Sequence, residues 1–218
     1  MRHGYTNDTT RDGASVAKTY AGPGATGRCA VERKVLTSLA GLLPVPAVRG
    51  GDAETLVVEF VSGRHGQDLM GAGFAREILS GCGRFLRHLH SIDPVPVLGL
   101  ASRGEVIVHG DFGPNNVLFA EDGFAVSAVL DWEFCHLGAP VEDLAWCEWI
   151  VRAHHPQARA ELPSLFAAYG RTPAWADRQD SMVRRCAQLE QFCREWDPAG
   201  GGVEMWIERG RQASAWRP

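Results

Sequence analysis

Lysine is almost missing from this chain. Its 218 residues hold only Lys18 and Lys34, so any catalytic ammonium must be one of two side chains. A basic excess is missing too. Lys and Arg number 22 against 26 Asp and Glu, a formal charge of −4, which excludes a general nucleic-acid binder because nothing is left over to neutralise a phosphate backbone. No C-x-x-C pair occurs. The six cysteines (Cys29, Cys82, Cys135, Cys147, Cys186, Cys193) are scattered and read as reduced core thiols rather than disulfides or a zinc site. No apolar run is long enough to span a bilayer, and no signal-peptide pattern is present, so a cytoplasmic protein without a membrane partner is expected. Tryptophan is missing from the first 131 residues. All seven follow Asp131 and suit an aromatic, mainly helical core in the second part of the chain.

What is present divides in two. The first sixty residues read as a small strand-rich lobe. Ala14 to Tyr20 is a strand carrying Lys18, and Gly22, Pro23, Gly24 and Gly27 form a flexible connection. Val31, Val35, Leu39 and Leu42 recur at helical spacing and predict a helix over Cys29–Leu43, with Glu32 in its first turn and Pro44 and Pro46 ending it. Leu56 to Val61 is an apolar strand. Gly63 to Gly73 is a candidate linker, giving units of 1–62 and 63–218. Beyond it the stripe Phe74, Ile78, Cys82, Phe85, Leu89 predicts a helix to about His90. Another helix is expected near Pro140, a long one carries Met182, Cys186, Leu189, Cys193 and Trp196, and a last one carries Val203, Trp206 and Ile207.

The chemistry concentrates between Val106 and Ala145. Three short apolar runs end in polar groups: His109-Gly110-Asp111, then Asn116 five residues later, then Asp131-Trp132-Glu133. Turn residues explain Gly113-Pro114-Asn115, but not three chelating groups at three strand ends. A metal hydrolase would need further histidine ligands, and His136, His154 and His155 lack a ligand spacing. Two carboxylates and an amide in this order suit metal-assisted phosphoryl transfer.

These residues resemble the aminoglycoside phosphotransferase and choline kinase-like family, relatives of the protein kinases. Its pattern H-G-D-x-x-x-x-N, then D-W-E, then P-x-x-D-L is met by His109 to Asn116, by Asp131 to Glu133, and by Pro140 with Asp143-Leu144. The resemblance implies an α+β, two-lobed, protein-kinase-like fold. It also implies transfer of the γ-phosphoryl of ATP or GTP to a hydroxyl of a small molecule, an aminoglycoside-type or other antibiotic being the expected acceptor, with Mg2+ as cofactor. By the resemblance Asp111 is the catalytic base and His109 braces its loop. Asn116 and Asp131 are the magnesium ligands. Lys18, held by Glu32, faces the nucleotide phosphates. Thr6 and Asn7 belong to the loop over the nucleotide, and Glu59 and Val61 to the hinge beside its base. Tyr20 and Phe60 flank a base or pack in the core. Asp143 either holds the catalytic loop or is a helix-start charge favoured by the dipole.

Glu142, Glu148, Glu190, Glu195 and Glu204 suit a cationic acceptor such as an aminoglycoside, or are solvated helix faces. A kinase of a small amino alcohol or sugar, or a nucleotide-binding pseudoenzyme, are the alternatives. Only Met1-Arg2-His3 precede Gly4, where the family carries a strand, which implies an incomplete roof over the nucleotide; the segment between His90 and Val106 is also short, which implies a reduced acceptor site.

Overall fold

The computed structural model describes residues 7–218. Its N-terminal part is a four-stranded antiparallel sheet with one helix against it. Strand β1 (Asn7–Asp12) pairs with β2 (Ser15–Tyr20), β2 with β4 (Thr55–Glu59), and β4 with β3 (Val48–Gly51), giving the order β1-β2-β4-β3. Strand β1 has no apolar residue and no hydrophobic alternation to announce it. Pairing with β2, Asn7 opposite Tyr20 and Asp12 opposite Ser15, is what makes it a strand. Helix α1 (Ala25–Leu39) starts after Gly24, whose left-handed backbone begins the turn, and so lies four residues earlier than its apolar spacing alone suggests. Glu32 is therefore mid-helix, not in the first turn. The buried face of α1 is Arg28, Cys29, Glu32, Val35, Leu36 and Leu39. Two charged residues on that face, at i and i+4, are the first structural sign of a site.

The expected linker is structured: β5 (Arg64–His65) and α2 (Gly66–Gly71) occupy it. Its glycines permit close approach, with Cβ at Gly66 meeting Pro114 O at 2.8 Å, rather than loose chain. The rest is mainly helical. Helix α3 (Ala75–Leu89) buries Ile78, Leu79, Cys82, Phe85, Leu86 and Leu89 in one stripe and packs on α6 (Leu162–Tyr169). The short α4 (Val95–Leu98) follows α3. Three small strand pairs then build the platform for the polar motif. Strand β6 (Val106–Val108) pairs with β9 (His136–Gly138), and β7 (Val117–Phe119) lies between β5 and β8 (Val126–Val129). Helices α5 (Val141–His154), α7 (Trp175–Trp196) and α8 (Gly201–Ala215) complete the fold.

The main core runs from the small sheet through α3 and α6. A second core joins Ala145, Trp146, Trp149 and Ile150 of α5 to Met182 and Cys186 of α7 and Ala213 of α8. Here Trp146 and Trp149 stack with centroids 4.6 Å apart and planes 7° from parallel. All six cysteines are free, and five are buried, as their scattered pattern implies. No helix among the described residues is long and apolar enough to cross a membrane.

Candidate active site

The turn after β6 is tied down from below. Asp143, in the first turn of α5 and fully buried, accepts the backbone N–H of His109 (2.8 Å) on Oδ2 and that of Gly110 (3.0 Å) on Oδ1. His90 Nε2 adds a third contact at 3.2 Å. Burial works against the Asp143 charge, but His90, His109 and the backbone donors outweigh it and hold its pKa below the ordinary carboxylate value. Of the two readings of Asp143, the geometry matches the loop anchor. Gly110 has φ 83°, and a Cβ there would lie 2.3 Å from Phe134 O, so the turn requires glycine. His109 is fully buried beneath it. Nε2 lies 2.9 Å from Leu130 O, and Nδ1 receives the Asp111 N–H at 3.2 Å, so Nε2 is the ring nitrogen that donates.

Asp111 is presented by this turn with both carboxylate oxygens occupied. Trp146 Nε1 donates to Oδ1 at 2.8 Å, and Asn116 Nδ2 donates to Oδ2 at 3.0 Å and to the Asp111 carbonyl at 2.8 Å. Burial, reinforced by the negative charge of Asp131, raises the Asp111 pKa above its ordinary value. Asp131 ends β8 in a left-handed conformation, φ 69°, the one non-glycine residue with positive φ among those described. Such strain costs of order 1–3 kcal/mol and persists where the surroundings over-determine it. Leu130 N–H to Asn116 O (2.8 Å) on one side and Trp132 N–H to Glu32 Oε1 (3.2 Å) on the other do so here.

From the other lobe, Lys18 on β2 reaches Glu32 Oε2 at 2.7 Å, pairs closely with Asp131 Oδ1, and lies 3.6 Å from Glu133 Oε1. Burial opposes its charge, but the carboxylates around it hold its pKa well above the ordinary lysine value. Burial likewise disfavours the Asp131 charge, and Lys18 outweighs it and lowers that pKa. Lys34 is exposed. Arg28 pairs with Glu133, and Asn7 Nδ2 donates to Glu133 Oε1 at 2.8 Å, so α1 and β1 are also bound to the D-W-E turn. Burial, with Asp131 next, pushes the Glu133 pKa up to about 7.

The structure thus brings Lys18, Glu32, Asn7, Asp111, Asn116 and Asp131 together over His109. Thr6 lies outside the described residues. The Glu59 carboxylate is turned to Arg49 (2.9 Å) and its N–H to Ala47 O (2.9 Å), and Val61 follows just beyond β4. Tyr20 is buried with its hydroxyl on Glu32, a core role, whereas Phe60 is partly exposed beneath Arg11. The acidic residues expected near a cationic acceptor are mostly engaged elsewhere. Glu142 holds His136 and Ala139 N–H, Glu148 is buried between Arg152 and Arg178, Glu190 pairs with Arg194, and Glu195 accepts from Gln191.

Three participants escape a reading of single motifs: Arg28, Trp146 and Arg185. The signal for Trp146 is its place three residues after Asp143, on the same helix face. Surface hollows of about 480 and 310 Å³ are lined by Thr26–Ala53 and Glu148–Pro218 residues, and neither includes Lys18, Asp111, Asn116 or Asp131. The site is defined by its converging polar groups rather than by a ready-made cavity.

Asn116 and Asp131 also fit a magnesium ion. Asn116 commits its amide nitrogen to Asp111, which leaves the amide oxygen as a hard donor beside the Asp131 carboxylate. No group of three or more His, Cys, Asp or Glu side chains arranged to hold a metal ion occurs among the described residues. Two protein oxygens, with water and phosphate supplying the rest, is a magnesium arrangement rather than that of an all-protein cage.

The fold has clear structural relatives. The streptomycin–ATP ternary complex of APH(2")-IIa superposes with a TM-score of 0.68 at 12% identity, over 96% of this chain and 88% of that one. The GDP complex of aminoglycoside 2'-phosphotransferase-IIIa gives 0.75 at 11%, over 97% and 90%. Macrolide 2'-phosphotransferase MphH from Brachybacterium faecium, as apoenzyme, gives 0.60 at 18%, over 97% and 89%. No curated protein sequence matches the chain significantly. The model of the phosphotransferase enzyme family matches residues 2–106 and 95–180. With that match over most of its length and a small antiparallel lobe joined to a helical one, the chain belongs to the phosphotransferase enzyme family.

Proposed function

We propose that the protein transfers the γ-phosphoryl group of ATP or GTP to a hydroxyl of a small molecule, with the nucleotide between a lobe of residues 1–62 and one of 63–218. The observation that carries this reading is the Asp111 carboxylate, fixed by two donors and set beside the Lys18–Asp131 pair. Asp111 orients the acceptor hydroxyl and takes its proton as the bond to phosphorus forms. Its raised pKa, from burial and from Asp131, brings the carboxylate closer to the pKa of a useful proton acceptor. His109 and Asp143 hold the loop. Lys18, steadied by Glu32, leaves Asp131 for the nucleotide phosphates when these arrive. Asn7 lies at the mouth over them, and Glu59 and Val61 flank the base through their backbone. Asn116 and Asp131 would hold magnesium, which would neutralise charge on the triphosphate. The rest of the catalysis is positioning.

An antibiotic acceptor is the reading the relatives favour, since the solved neighbours are named for aminoglycosides and macrolides. A polycationic acceptor wants free carboxylates around Asp111, and this chain offers few.

The test is a mass-spectrometric transfer assay with Mg-ATP or Mg-GTP and pooled aminoglycosides, macrolides, amino alcohols, sugars and hydroxy acids, with Asp111→Asn alongside. A phosphorylated product made by the wild type alone supports the reading. Product formed equally by Asp111→Asn refutes the role of Asp111.

A further inference from the structure

Close to Asp111, helix α7 places a guanidinium that no motif explains. Arg185 lies over the ring of Phe134, three residues after Asp131, with Cζ 4.8 Å from the centroid, and 5.8 Å from that of Trp146, the donor to Asp111. Its Nε and Nη2 are buried and donate to nothing among the described residues. Its Nη1 reaches only Gln188 Oε1, at a long 3.3 Å. Burial lowers its pKa, against the pull of Asp111, Asp143 and Glu142, yet no carboxylate comes within ion-pair distance.

Leaving buried donors unmet is destabilising, the more so on a charged group. The obvious partner, Asp111, does not answer them: its oxygens accept from Trp146 and Asn116, and it makes no ion pair with Arg185. Glu142, Glu148, Glu190 and Glu195 are turned to other partners. Arg185 is thus a guanidinium close to Asp111 with no carboxylate of its own: Nη1 holds only Gln188, Nε and Nη2 hold nothing among the described residues, and such a planar fork matches a carboxylate bidentately.

We propose that Arg185 is an acceptor-binding residue and that the acceptor is an anionic hydroxyl compound, a hydroxy acid whose carboxylate takes the place of Gln188 on the guanidinium while its hydroxyl meets Asp111. This rests on the phosphotransfer reading and narrows its substrate class. Phe134 and Trp146 give the acid an apolar floor, and the weak, exposed Gln188 contact is the one displaced.

The experiment uses the full chain with Mg-ATP. Glycerate and 4-hydroxybutyrate are each compared with the matching carboxamide and with kanamycin, by product mass and by tryptophan fluorescence titration, since Trp146 adjoins Arg185. The wild type is expected to bind at least one acid and turn it over, with its amide ~30-fold or more poorer in kcat/KM, as loss of one charge-assisted pair implies. Arg185→Gln removes that preference by raising KM for the acid and leaves KM for ATP unchanged. Because Arg185 is packed inside, Gln188→Glu on the exposed surface provides a second test. Its carboxylate occupies the guanidinium from within the chain and raises KM for the acid without disturbing the core. Neither acid binding, an amide or kanamycin used as well as the acid, or acid KM unchanged in both variants each overturns the anionic class. Asp111-dependent ATP turnover that survives such a result leaves the phosphotransfer reading standing, whereas absence of Mg-ATP binding brings down both.

Discussion

Trp146→Phe isolates the least anticipated contact of the site. The indole N–H gives Asp111 Oδ1 a 2.8 Å hydrogen bond, and nothing else among the described residues donates to that oxygen. A hydrogen bond to a charged group contributes about 1.5–3 kcal/mol net, which is ~10- to 150-fold in rate if the transition state uses all of it. Phenylalanine keeps most of the ring stacked on Trp149, 4.6 Å away, so the fold is expected to survive with a loss of ~1–2 kcal/mol from the smaller volume. The freed carboxylate can rotate away from the acceptor. The expected result is a fall in kcat of ~10- to 100-fold with KM for the nucleotide unchanged, because the indole N–H bonds the catalytic carboxylate and none of the residues assigned to the nucleotide. A second readout separates this from general loosening. The indole bond favours the ionised carboxylate, so its removal raises the Asp111 pKa further and moves the acid limb of the pH–rate profile upward. Steady-state kinetics across pH 5–9, with a thermal melt of each protein, gives both quantities. A kcat within twofold of wild type and an unmoved acid limb would refute the reasoning.

Four other outcomes follow. Asp111→Asn keeps nucleotide binding, measured by calorimetry, and loses transfer by at least ~10³-fold, the general-base share with misorientation added. Asp143→Ala leaves the His109 and Gly110 N–H groups and His90 without their acceptor and costs ~3–5 kcal/mol in urea unfolding; a cost below ~1 kcal/mol contradicts the anchor role. Glu133 has a folded pKa of about 7 against an ordinary 4.5, so the stability linked to its extra proton is full below about 4.5 and is lost as pH rises through about 7. Glu133→Gln should flatten that part of the stability profile, a slope worth at most ~3 kcal/mol, while the opposite contribution of Asp131, whose pKa is depressed, falls away only at lower pH. Gly22→Ala sets a Cβ 2.6 Å from Trp196 at a φ of 79° and is expected to lower the melting temperature by several degrees.

The helical stripes were legible because burial on one face leaves a period: Ile78, Cys82, Phe85 and Leu89 form the buried side of α3 as their spacing predicts. The polar motif was legible because its residue types sit at the ends of short strands. What the sequence concealed is long-range. Strand β1 is polar throughout and exists through its partner β2. Arg28 looks like a surface helix residue until Glu133, over one hundred positions away, is seen to need it. The mid-helix place of Glu32 depends on Gly24 starting α1 early. Arg185 lies in a highly polar stretch of α7 whose spacing cannot tell a solvated arginine from one pressed onto Phe134.

The contact of Trp196 with Gly22 joins the far end of α7 to the glycine turn that precedes α1. The helix that carries Arg185 is thereby in register with the helix that carries Glu32. A shift of either element changes the packing under the other. Whatever free energy acceptor and nucleotide exchange through this joint is the same in both directions, so a protein loosened at Trp196 would bind each of its two ligands with less regard for the other.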